Sequence, residues 1–109
     1  INEQISAEID SISIPAISGA IHCAEEFLLT AAAQRNRNHV KERVEFASKI
    51  PFSMEELLFD PQTSGGLLLS VAPEDLNGML QEFQKIGMDT KVSVIGTVTE
   101  KSDKLIRLY

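Results

Sequence analysis

Pro61 and the glycine pair Gly65-Gly66 constrain the folding of this chain more than any other residues. Proline disfavours helical geometry at the residue before it, so a helix arriving from Ser53 has to stop by Asp60. The glycines then allow turns that a side chain would forbid. Beyond them, Leu67-Leu68-Leu69-Ser70-Val71 is a continuous apolar run, the pattern of a strand covered on both faces. The stretch 60–68 therefore reads as a helix-to-strand connection built from a fixed turn, an amide, two hydroxyls and two glycines.

Other segments carry their own periods. Ile5, Ala7 and Ile9 alternate with Ser6, Glu8 and Asp10, which predicts a half-buried strand within residues 1–9. Residues 11–15 break it. Ile17, Ala20, Ile21, Ala24, Phe27, Leu28 and Ala31 follow helical spacing, so one helix is expected over Ser18–Ala32. The polar run Gln34–Asn38 reads as a loop. Residues 39–49 suit either a helix or a short strand, and Val44 with Phe46 favours extended chain at 43–46. Ser53-Met54-Glu55-Glu56 has the capping-box pattern. Pro73, Glu74 and Asp75 open a helix whose stripe is Leu76, Met79, Leu80, Phe83 and Ile86, with Gly87 as its left-handed cap. Val92, Val94 and Val98 predict a strand, and Leu105–Tyr109 a last one paired with it as a hairpin. The order from 66 to 98 is strand, helix, strand. The expected fold is one α+β domain over 1–109: a mixed, mainly antiparallel sheet with helices packed on one face.

Composition removes several functions. The chain has 109 residues, is 43% hydrophobic and carries a net charge of −6. That balance argues against nucleic acid or an anionic membrane as partner, because phosphate contacts need clustered Lys and Arg. The basic cluster Arg35, Arg37, Lys41 and Arg43 reads as a solvated helix end or loop. Cys23 is the only cysteine, so no internal disulfide forms, and its helical pattern suggests a small buried hydrophobe. His22 and His39 lack metal-ligand spacing with it. No apolar run is long enough for a membrane span and nothing reads as a signal peptide, so a cytoplasmic location is expected. The chain opens at Ile1 rather than Met, which suggests a fragment or an engineered domain. Such a fragment is expected to self-associate through uncovered apolar surface and strand edges.

The chemistry available is limited. Thr63, Ser64, Gly65 and Gly66 can wrap an anion with hydroxyl and backbone donors, or form a plain tight turn in which the glycines take positive φ. This is not a Walker loop, since no Gly-Lys-Ser/Thr and no helix follow the glycines. Asp60 fits a Mg²⁺ ligand, or more simply an Asx-type turn accepting from Gln62 or Thr63. Arg35 and Asn36 can clamp a phosphate or a carboxylate. No Ser/His/Asp, Cys/His or zinc-type arrangement can be assembled.

The run from Leu57 to Leu68 closely resembles the signature near the C-terminus of the selenophosphate synthetase (selenide, water dikinase) family. Ser6–Asp10 with Ile14-Pro15, Arg35-Asn36, Val71–Glu74 and Ile95-Gly96 extend the resemblance along essentially the whole chain. The alanines 31–33 stand where the family tends to carry glycine. The resemblance implies the later part of the C-terminal domain of the aminoimidazole ribonucleotide synthetase-like fold. It implies an enzyme that turns selenide, ATP and water into selenophosphate, AMP and phosphate with Mg²⁺, as a homodimer. The family's reactive Cys or selenocysteine, its lysine and its metal-binding aspartates match no residue here. No catalytic or metal residue is therefore assigned. Thr63, Ser64, Gly65, Gly66, Arg35 and Asn36 are the candidate phosphate-facing or wall residues, with ATP and Mg²⁺ bound mainly elsewhere and the fragment inactive alone. The rival readings are another superfamily member (aminoimidazole ribonucleotide synthetase, thiamine monophosphate kinase or the hydrogenase maturation enzyme) and a non-catalytic α+β assembly module.

Overall fold

A computed structural model describes residues 4–109. The elements are β1 (Ile5–Ile9), a 3-10 turn (Ser11–Ser13), α1 (Ala20–Glu25), α2 (Ala31–Val40), β2 (Val44–Phe46), α3 (Phe52–Phe59), α4 (Pro73–Ile86), β3 (Gly96–Glu100) and β4 (Ile106–Leu108). The α+β expectation holds, and extended chain at 44–46 with it. Any continuation of β1 towards Ile1 lies outside the described residues. After β1 the Asp10 carboxylate accepts from the Ser13 hydroxyl and the Ile12 N–H, which ends the strand. The same bonds, that from Ser13 first, hold its carboxyl below the usual aspartate value.

The strands form one mixed sheet in the order β2-β4-β1-β3. β1 is antiparallel to β3, with Ala7 opposite Val98. It is parallel to β4, and β4 is parallel to β2, so Val44, Ile106 and Ala7 share one row. The sheet is thus not mainly antiparallel: one ladder is antiparallel and two are parallel. Nor are the last two strands a hairpin, because β1 lies between them. The cause is Ser6, buried in β1. Its hydroxyl donates to the Lys104 carbonyl at 2.7 Å and accepts from the Ser102 N–H at 2.9 Å. The 101–105 turn is thereby held across the end of β1 instead of folding back on β3.

The helical layer departs more from the sequence pattern. The helix expected over Ser18–Ala32 is two helices. α1 ends in a Schellman motif, with Leu28 N–H bonded to the Cys23 carbonyl and Phe27 N–H to that of Ala24. The left-handed residue is Phe27, at φ 58°, where glycine is usual. That geometry costs a non-glycine residue about 1–2 kcal/mol. The Phe27 ring rests against Phe52 of α3, centroids 5.6 Å apart, which offsets part of the cost. Cys23 is exposed rather than buried; the short α1 turns Ala24 to the interior instead.

Gln34–Asn38, expected as loop, lies inside α2. The capping box is not made either: α3 starts at Phe52, after Pro51, and Ser53 is buried in its first turn. Glu56 pairs with Arg37 instead. Ala24 and Ala33 are buried where α1 and α2 pack on α3, their small side chains allowing close approach. Phe59 of α3 meets Phe46 of β2 edge-on at 6.1 Å, which joins the helices to the sheet.

Pro73–Gly87 is as expected, with Gly87 at φ 67°. The apolar run 67–71 is not a strand, and Leu67 and Leu68 are 91% and 76% exposed. Among the described residues no strand pairs with it, and apolar character alone does not fix an extended ladder. No residue of α4 is fully buried, so its stripe does not pack as a crossover helix on this sheet. Of the expected valines only Val98 is within β3.

Candidate functional site

The root of the 60–66 loop is built by helix ends that complete one another. A helix leaves its last carbonyls without intrahelical partners. At the end of α3, the Asn36 side-chain amide donates to the Phe59 carbonyl at 2.9 Å. The Gln62 amide donates to the Leu57 carbonyl at 3.1 Å, and the Asp60 N–H bonds to that same carbonyl. At the start of α2, the Thr30 hydroxyl accepts from the Ala33 N–H at 3.1 Å and donates to Asp60 Oδ1 at 2.9 Å. Asp60 thus orients the cap of a helix whose N-cap lies 30 residues before it. It does not accept from Gln62 or Thr63 as an Asx turn.

The turn itself closes with the Gly65 N–H on the Gln62 carbonyl at 2.9 Å. Space favours glycine here: a Cβ at Gly65 would lie 3.0 Å from the Gln62 oxygen and 3.1 Å from its Cβ, a tight contact. Neither Gly65 nor Gly66 has positive φ, contrary to expectation. Gly66 has open space around it.

The signature therefore divides by role. Leu57, Phe59, Asp60, Gln62 and Gly65 are engaged internally. Thr63, Ser64 and Gly66 are exposed, and among the described residues their hydroxyl and N–H groups make no internal hydrogen bond. They are free to donate to an anion. Beside the root lies an open cleft of about 170 Å³ lined by Cys23, Leu28, Thr30, Glu56, Leu57 and Asp60 among others.

The expected site residues are only partly brought together. Thr63 to Gly66 share one turn. Asn36 reaches its root, where its amide donates to the Phe59 carbonyl and caps α3. Arg35 is exposed on α2 and, among the described residues, makes no hydrogen bond or ion pair with the loop. Sequence reasoning missed Gln62 and Thr30 as positioning residues. Thr30 before an alanine run is an N-cap signal that was readable. Among the described residues no group of three His, Cys, Asp or Glu side chains is placed to hold a metal ion. Among the described residues no helix is long and apolar enough to cross a membrane.

The Asp60–Thr30–Ala33 chain makes a specific prediction. Thr30→Ala should cost about 1 kcal/mol, the usual worth of an N-cap. Asp60→Ala should cost a similar amount, and the double variant less than the sum, because Asp60 acts through Thr30. Urea unfolding followed by circular dichroism measures all three, and strict additivity would show that the two residues act separately.

No protein-family model matches the chain. Curated relatives do. It is 61% identical over 88 residues to a selenide, water dikinase of Agathobacter rectalis, covering 81% of this chain and 26% of that protein. It is 36% identical over 107 residues to the enzyme of that name from Treponema denticola, covering 95% of this chain and 30% of the relative. A third, from Clostridioides difficile, is 37% identical over 103 residues, with 94% and 29% covered. The chain thus spans between a quarter and a third of the length of these relatives. Carried by that identity along nearly all of its residues, the chain belongs to the selenide, water dikinase family.

Proposed function

We propose that this chain is the C-terminal portion of a selenide, water dikinase, an enzyme that converts selenide, ATP and water to selenophosphate, AMP and phosphate. The observation that carries the proposal is the match to relatives of that name over 81–95% of the chain. Its part in the reaction is to wall the site. Thr63, Ser64 and Gly66 offer donors without internal partners, which suits them to a phosphate oxygen. The caps on α3 and α2 hold those donors in place. Among the described residues the side chains do not fit a magnesium site, because Asp60 is engaged by Thr30 and no acidic group of three converges. ATP and Mg²⁺ are bound mainly by the rest of a cytoplasmic, homodimeric protein.

The test uses the full-length protein. It should release AMP and phosphate from ATP only when selenide is supplied, and the 109-residue chain alone should not turn over. Thr63→Val with Ser64→Ala should raise KM for ATP at least about tenfold, since a hydrogen bond to a charged group contributes about 1.5–3 kcal/mol. Selenide-independent phosphorylation of another small molecule would overturn the assignment. An unchanged KM would remove the loop from the site.

A further inference from the structure

We infer that Gln62 sets the specificity of the 63–66 turn. Its side-chain oxygen is a fixed acceptor beside the free donors, so the oxyanion taken there is one that carries a proton. That is a hydrogen phosphate group, and not a fully ionised anion such as sulfate. The inference rests on the reading of Thr63, Ser64 and Gly66 as anion-facing, and adds what they select.

The orientation of the Gln62 amide is decided by its partner. Nε2 donates to the Leu57 carbonyl at 3.1 Å. A carbonyl only accepts, so the NH₂ end must face α3; a rotated amide would set oxygen against oxygen. Oε1 is left as the free end, and among the described residues no donor reaches it. It stands at the turn: a Cβ placed on Gly65 would lie 3.5 Å from it. The Gly65 N–H closes on the Gln62 carbonyl at 2.9 Å, which joins the acceptor and the turn carrying Ser64 into one piece. Gln62 is exposed, and with no side chain at Gly65 its oxygen stays open to a ligand.

Residues 61–66 carry no charge, so net charge does not choose between anions there and hydrogen-bond complementarity does. At about pH 8, sulfate and hydrogen phosphate are both tetrahedral dianions that differ in one O–H. The hydroxyls of Thr63 and Ser64 rotate to donate to either. The Gln62 amide cannot turn its donors to the anion without giving up Leu57. Hydrogen phosphate satisfies Oε1 with its O–H. Sulfate sets an oxygen against it and leaves the acceptor unpaired, the kind of mismatch that rejects a close analogue.

The test is an NMR titration of the 109-residue chain with inorganic phosphate and, separately, with sulfate, at constant ionic strength. It is read at the amides of Thr63, Ser64 and Gly66. Phosphate should bind with a Kd about tenfold or more below that of sulfate. Gln62→Met keeps the side-chain length without an acceptor. Gln62→Lys keeps a donor for the Leu57 carbonyl and also lacks the acceptor; its charge strengthens both dianions alike. In both variants the ratio of the two affinities should fall to about one. Equal affinities in the parent chain would overturn the inference and leave the anion-facing reading intact. So would a phosphate preference kept by both variants. Loss of both anions from both variants would also overturn it, because Gln62 would then only shape the turn. Shifts by neither anion in the parent chain would overturn it together with the reading it rests on.

Discussion

Arg37→Ala is expected to destabilise the chain by about 3–5 kcal/mol, the cost of leaving a buried ion without its partner. Arg37 sits where α2, α3 and β2 meet. Its guanidinium bonds Glu56 at 2.6 Å and Glu55 at 2.9 Å. It also lies 4.6 Å above the Phe59 ring and within 5.9 Å of Phe46. Glu56 is only 7% exposed, so water cannot replace the arginine. Arg37→Lys keeps the charge but not the planar fork, and should fall between. Arg37→Met with Glu56→Leu should recover most of the loss, because the penalty belongs to the orphaned carboxylate and not to a missing attraction. Urea midpoints decide this. A single variant within about 1 kcal/mol of the parent would mean that Glu56 reaches solvent after all.

Gly96→Ala should be the most damaging of the glycine substitutions. A Cβ at Gly96 would overlap the Glu8 carbonyl oxygen and lie 2.9 Å from the Ile9 Cα, both of them backbone atoms. Backbone cannot swing aside as a side chain does, so β1 and β3 must separate at that end. Overpacking of this kind costs about 1–3 kcal/mol, occasionally more. Gly66→Ala is the control: nothing lies within 4 Å of its Cβ position, and the change should stay within about 0.5 kcal/mol. Gly65→Ala should fall between them, since the Gln62 backbone would have to give slightly. Melting temperatures of the three should rank 96 lowest and 66 nearest the parent.

Where local chemistry decides a segment, the sequence was sufficient. The alternation at 5–9, the stop before Pro61, and the Pro73 start and Gly87 end of α4 all depend on residues within one turn of the feature. Where a distant group decides, it was not. Gln34–Asn38 is polar and reads as loop, yet it is helical because Asn36 and Arg37 find partners on α3. The break at Phe27 carries no glycine to announce it. β1 enters between β3 and β4 through Ser6, a contact spanning 98 residues. The candidate site shows the same division: Thr63 to Gly66 were visible as a turn, whereas the partner of Asp60 stands 30 residues away.

The exchange of caps between α2 and α3 also bears on how the domain assembles. The first turn of α2 needs Asp60 to set its cap, and the last turn of α3 needs Asn36. Neither helix is finished until the other is docked, so neither is a stable nucleus by itself. The two should form and open as one cooperative unit, with the loop at 63–66 taking its shape in the same step.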